Sequence, residues 1–175
     1  MKTMARRGKG GHPLRENERH PLGSDRIDIG DAPIRVDRAR LRRTIATTLR
    51  ALGRPRHSVS LTLVDDRRIR QLNQHYRGKN RATDVLAFPM EDHLSLPSPL
   101  LGEIIVSVET AKRQAREHGH SFHEELDLLI IHGLLHLVGY DDGDILEARL
   151  MHDREAVILG RIYSCPAPSL RMEPA

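Results

Sequence analysis

Tryptophan is absent from the chain, and tyrosine, with three residues, and phenylalanine, with two, are scarce. So few rings leave little on which unpaired bases could stack, and any nucleic-acid binding is expected to rest on phosphate contacts. Cysteine is reduced to Cys165 alone, which excludes an internal disulfide and a thiolate-rich zinc cage and points to a reducing, cytoplasmic setting. No apolar run approaches membrane-spanning length, and the basic start Met1 to Arg7 lacks the apolar stretch that a signal peptide places next. Neither sign of charge dominates: 28 Lys and Arg against 24 Asp and Glu leave a net +4, with an isoelectric point near 9.6. That balance suits a polyanionic partner without demanding one.

What remains divides into one domain and two tails. A chain of 175 residues buries one core of ordinary size. Residues 1–25 mix Arg, Lys, Gly, Pro and His with almost nothing to bury and read as a disordered basic tail. Residues 26–160 carry the periodic patterns of a domain, and 161–175 read as a trailing coil rich in proline. RIDI alternates like a short strand. Leu41, Ile45, Leu49 and Leu52 follow at helical spacing between an Asp37 cap and a Gly53 stop. A second strand and helix pair follows, SVSLTLV and then DRRIRQLNQHYR, ending at Gly78. TDVLAFP and GEIIVSV read as neighbouring strands on either side of a loop. Beyond them lie three helices. The middle one, opened by a Ser121 and Glu124 capping box, is apolar around much of its circumference and is expected to be the central buried helix. The pattern is α+β, a small sheet covered by helices.

The chemistry concentrates in HGLLHLVGYDDGD, which begins at His132. His132 and His136 stand i, i+4 and so share one helix face at a separation that a single metal ion can bridge. Gly139 permits a positive-φ exit from the helix, after which a carboxylate can return toward the two rings. The spacing H-x-x-x-H-x-x-G-x-x-D repeats that of metzincin zinc proteases, but the general-base glutamate of the protease motif is replaced by Gly133, which disfavours peptide hydrolysis. Two histidines and one aspartate describe an open metal site rather than a closed structural one. Asp141 and Asp144 compete with Asp142 for the third position, although Asp144 suits an N-cap for the last helix better. His118, His120 and His123 read as a surface cluster at a polar helix junction, and His75 and His152 are likewise unassigned.

HGLLHLVGYDD, with Met151 downstream, resembles the signature HGxLHLxGYDH of the YbeY family of bacterial metal-dependent endoribonucleases. LNQHYRGKNRATDVLAFP and LGEIIVSVETAKRQA are similar to family segments in the same order. The resemblance implies an α+β fold with a mixed sheet, a zinc ion on His132, His136 and Asp142, with Mn²⁺ as another possible ion, and a functional Arg77 in the same crevice. It also implies a catalytic role for Arg77, His132 and His136 in cutting single-stranded RNA during rRNA 3′-end maturation and ribosome quality control, with rRNA and ribosomal particles as partners and neither DNA nor membrane expected. Asp142 departs from the pattern, since the family carries a third histidine there. An anionic ligand lowers the charge of the centre and favours harder ions, which gives weight to a second reading: a ribosome-assembly factor with a mainly structural metal and weak nuclease activity.

Overall fold

The computed structural model describes residues 26–29, 34–90 and 99–163. The disordered tail expected over 1–25 and most of the loop expected between the third and fourth strands lie outside these residues. Nine elements follow in order: β1 (Arg26–Ile29), α1 (Arg38–Ala51), β2 (Ser58–Val64), α2 (Asp66–Arg77), β3 (Val85–Pro89), β4 (Leu100–Ser107), α3 (Val108–His118), α4 (Phe122–Leu137) and α5 (Ile145–Tyr163). The sheet has four strands in the order β1-β2-β4-β3. β1, β2 and β4 run parallel, and β3 lies antiparallel along β4. The architecture is therefore α+β with a mixed sheet.

Local chemistry explains the helix boundaries. Asp37 accepts from the backbone N–H groups of Ala39 and Arg40, which opens α1, and Asp65 accepts from Arg68 N–H, which opens α2. Ser121 and Glu124 form the reciprocal capping box of α4, at 3.2 and 2.8 Å. The coil expected from residue 161 does not begin there: α5 continues through Gly160 to Tyr163. Gly160 does not stop the helix because Ile162 and Tyr163 beyond it still pack against the cluster that α4 and α5 share, and tertiary burial outweighs the glycine's weak helix propensity. The residues after Tyr163 lie outside those described.

α4 is buried on two sides, as its apolar circumference requires. Leu126, Ile130, Leu134 and Leu137 join Val59, Leu61, Leu63, Ile104 and Val106 of the sheet and Ile45 and Leu49 of α1. On its far side Ile131 and Leu135 meet Met151, Ile158 and Leu159 of α5. α2 covers the opposite sheet face, with Ile69 and Leu72 against Leu86, Phe88 and Ile105. Each such side chain removed from water contributes about 1.5–3 kcal/mol. α4 sits tightly on the sheet at Gly133, where an added Cβ would lie 2.8 Å from Ile104 Cγ2. A polar knot holds the other end of α4. Asp127, fully buried, accepts from Arg40 at 2.7 Å and Thr44 at 2.8 Å, and from the Tyr163 hydroxyl at the end of α5.

Candidate metal centre

His132 and His136 occupy successive turns near the end of α4, their ring centroids 4.6 Å apart and their planes nearly perpendicular. Each ring is held through Nδ1. His132 Nδ1 lies 2.7 Å from Glu155 Oε1 on α5, and His136 Nδ1 lies 2.9 Å from the Tyr140 carbonyl oxygen. A carbonyl only accepts, so His136 carries its proton on Nδ1, and the carboxylate imposes the same tautomer on His132. Both Nε2 atoms then present lone pairs, 3.1 Å apart. Two facing lone pairs repel unless they share a proton or a cation, and the gap approximates the edge of about 3.3 Å between neighbouring nitrogens bonded at 2.0–2.1 Å to one tetrahedral metal.

Asp142 completes the group. Ligand-capable atoms of His132, His136 and Asp142 all lie within 4.8 Å of one another. The chain returns there because Gly139, at φ 99°, lets it turn sharply after the helix. Of the competing carboxylates, Asp144 accepts from Leu146 and Glu147 N–H at 2.8 and 2.9 Å and caps α5, while Asp141 accepts from the Asp142 N–H at 2.9 Å. The sequence reading of Asp144 as a cap agrees with this geometry.

Electrostatics keep the donors ready. Burial pushes the His136 pKa below its ordinary value, the neighbouring His132 adds to this, and the Tyr140 carbonyl, Asp142 and Asp141 only partly oppose it. Burial would raise Glu155, but the hydrogen bonds from His132 and His152, reinforced by their charge, hold it below the ordinary glutamate value. His152 is raised in turn, first by its 3.1 Å contact with Glu155. Arg77, the last residue of α2, brings a half-buried guanidinium whose Nη2 has no hydrogen-bond partner among the described residues. Burial lowers its pKa, while the charges of Asp142 and Asp84 pull it back up. Arg77 is thus electrostatically coupled to Asp142, whereas Lys79 and Arg81 are exposed beyond it.

Glu155 and the Tyr140 carbonyl escaped the sequence reading. One signal for Glu155 was present: Met151, Glu155, Ile158 and Leu159 share a helix face, and a carboxylate on an apolar face needs a partner. Its partner lies 23 residues away in the chain, beyond the reach of any local pattern.

A family model described as Endoribonuclease YbeY matches residues 26–163. The chain belongs to the YbeY endoribonuclease family. An Endoribonuclease YbeY from Anaeromyxobacter sp. (strain Fw109-5) is 48% identical over 117 residues, covering 67% of this chain and 60% of that relative. The one from Carboxydothermus hydrogenoformans is 37% identical over 138 residues, covering 79% and 92%. The chain thus spans about three fifths of the Anaeromyxobacter protein's length and nearly all of the Carboxydothermus one. Among solved structures, the solution structure of a Thermotoga maritima protein superposes with a TM-score of 0.56 at 29% identity, covering 81% of this chain and 90% of the other. The matched YbeY region includes every residue of the centre and Arg77, and runs to the end of α5, where Tyr163 closes the Asp127 knot. Among the described residues, no helix is long and apolar enough to cross a membrane.

Proposed function

We propose that this chain is a metal-dependent endoribonuclease that cuts single-stranded RNA, with His132, His136 and Asp142 holding a zinc ion and Arg77 holding the substrate phosphate. The observation that carries the reading is the pair of imidazole Nε2 atoms facing each other at 3.1 Å beside Asp142, inside a domain of the YbeY family. The donor set suits the ion: two neutral imidazoles and a carboxylate satisfy Zn²⁺, and the carboxylate also accommodates Mn²⁺. An ion bound there supplies positive charge against the negative charge that a phosphodiester gains as it is cleaved.

The protein's own groups do the positioning. Glu155 fixes the His132 ring and the Tyr140 carbonyl fixes His136, so the nitrogens need no reorganisation on binding. Arg77, half-buried and electrostatically coupled to Asp142, offers a planar guanidinium of the kind that grips a phosphate. The setting we propose is rRNA 3′-end maturation and ribosome quality control in the cytoplasm, with rRNA and ribosomal particles as partners; the family likeness and the basic balance of the chain support it.

Purified, zinc-loaded protein assayed on single- and double-stranded RNA tests the proposal. Wild type should cleave the single strand, and the double variant His132→Ala, His136→Ala should lose both cleavage and zinc. Asp142→Ala should release zinc on dialysis. Arg77→Ala should keep zinc and fold but cut about 10²-fold more slowly, the scale of losing one charge-stabilising donor. RNA binding without cleavage by the wild type would instead support the assembly-factor reading, which Asp142 in place of histidine favours.

A further inference from the structure

A second set of metal-capable side chains stands at the opposite end of α4. His118 closes α3, Gly119 reverses the chain at φ 73°, His120 follows, and Glu125 lies one turn into α4. Ligand-capable atoms of His118, His120 and Glu125 lie within 4.8 Å of one another. The sequence reading of these histidines as a surface cluster missed the carboxylate between them. Glu125 is 2% exposed, His120 15% and His118 52%, so the group runs from the interior to the solvent.

Its distances set it apart from a simple ion pair. Glu125 Oε2 lies 3.3 Å from His120 Nδ1 and 3.5 Å from His118 Nδ1. A charge-assisted N–H···O bond closes to about 2.7–2.9 Å, and the same protein shows it, since His132 meets Glu155 at 2.7 Å. The longer pair of separations instead brackets the edge of about 3.4 Å expected between neighbouring ligands bonded at 2.0–2.2 Å to one tetrahedral ion. Two imidazoles and a carboxylate also form a mixed nitrogen and oxygen donor set that suits such an ion.

We propose that His118, His120 and Glu125 form a second divalent-metal site, independent of the endoribonuclease reading, for a first-row ion that favours nitrogen and oxygen donors, such as Zn²⁺, Ni²⁺ or Cu²⁺. Solvent on the His118 side completes the coordination. The ion clamps the end of α3 to the start of α4, the helix that also carries His132 about 10 Å further along its axis, seven residues at 1.5 Å each. Occupancy therefore sets how firmly the base of that helix is held.

The test is zinc titration of metal-stripped, full-length protein by calorimetry, with bound zinc counted after gel filtration. Wild type should bind two equivalents of zinc, and in His118→Ala or His120→Ala one of the two should bind at least tenfold more weakly or be lost on gel filtration. His118 is half exposed, so its replacement leaves the fold intact, as circular dichroism would verify. In the background His132→Ala, His136→Ala, zinc should still raise the melting temperature, and adding His120→Ala should abolish that rise. Equal stoichiometry and affinity in wild type and His118→Ala, or a zinc-dependent rise that survives His120→Ala, would overturn the proposal. Loss of zinc from the His132 centre alone would count against the endoribonuclease reading and leave this site standing.

Discussion

Two buried carboxylates join α4 to α5, and they are balanced in opposite ways. Asp127 is met by the Arg40 guanidinium and by the hydroxyls of Thr44 and Tyr163. None of these partners changes charge near neutrality: the guanidinium is permanently charged, and burial together with Asp127 pushes the Tyr163 pKa well above its usual 10. Glu155, equally buried, is met by His132 and His152. Both partners are imidazoles, and one of them aims its second nitrogen at the candidate metal. A buried negative charge thus builds a fixed joint when its partners are closed, and a ligand-orienting device when a partner has a second face to offer.

The contrast is sharpest in what removal should do. Asp127→Ala strands the Arg40 charge and two hydroxyls, and should cost about 3–5 kcal/mol of stability. Urea unfolding would measure it, and zinc per folded molecule should stay at the wild-type level. A fall in zinc affinity larger than the stability loss explains would break the distinction. Glu155→Gln is expected to invert the pattern: zinc affinity drops about 10–100-fold, while the unfolding midpoint moves less than in Asp127→Ala. Competition with a chromophoric chelator reads that affinity, and an unchanged value would mean that Glu155 is merely a packed neighbour.

Two smaller effects probe the edges of the comparison. Asp144→Ala removes the α5 cap and should cost about 1 kcal/mol without loss of zinc; zinc loss would make Asp144 part of the centre. In the metal-free protein, His152 has a raised pKa, so its contribution to stability is complete below the unfolded value of 6.5 and is lost as pH rises through its folded value. His136, lowered, does the reverse: its contribution is present above 6.5 and is lost as pH falls through its folded value. Half the His152 side chain is exposed, so solvent screening keeps its effect small. The melting-temperature gap between wild type and His152→Ala should accordingly be widest below pH 6.5 and close on the alkaline side. A gap that widens with pH would contradict the Glu155 pairing.

What could be read from the sequence was local. The Asp37 cap, the Ser121 and Glu124 box and the terminal glycines Gly78 and Gly119 act over three or four residues, and the helix periods follow from them. The facing of His132 and His136 is equally local, fixed by one helical turn. The strand order β1-β2-β4-β3 depends on contacts between distant segments and leaves no local mark. Glu155, which orients His132 from 23 residues away, and Glu125, which turns two apparent surface histidines into a cluster, were hidden for the same reason. The end of α5 was misplaced because the hydrogen-bond partners of Tyr163 lie far back in the chain at Arg40 and Asp127.

The close seat of α4 on the sheet has an evolutionary consequence. A single substitution, Gly133→Glu, would complete the zinc-peptidase pattern on this helix. Yet the new Cβ would meet Ile104 Cγ2 at 2.8 Å in a fully buried contact, with the rest of the side chain still to be placed. Ile104 or the helix would have to shift before a glutamate could be seated there. The packing that seats α4 on β4 thus opposes the one substitution that the peptidase pattern would require at this position.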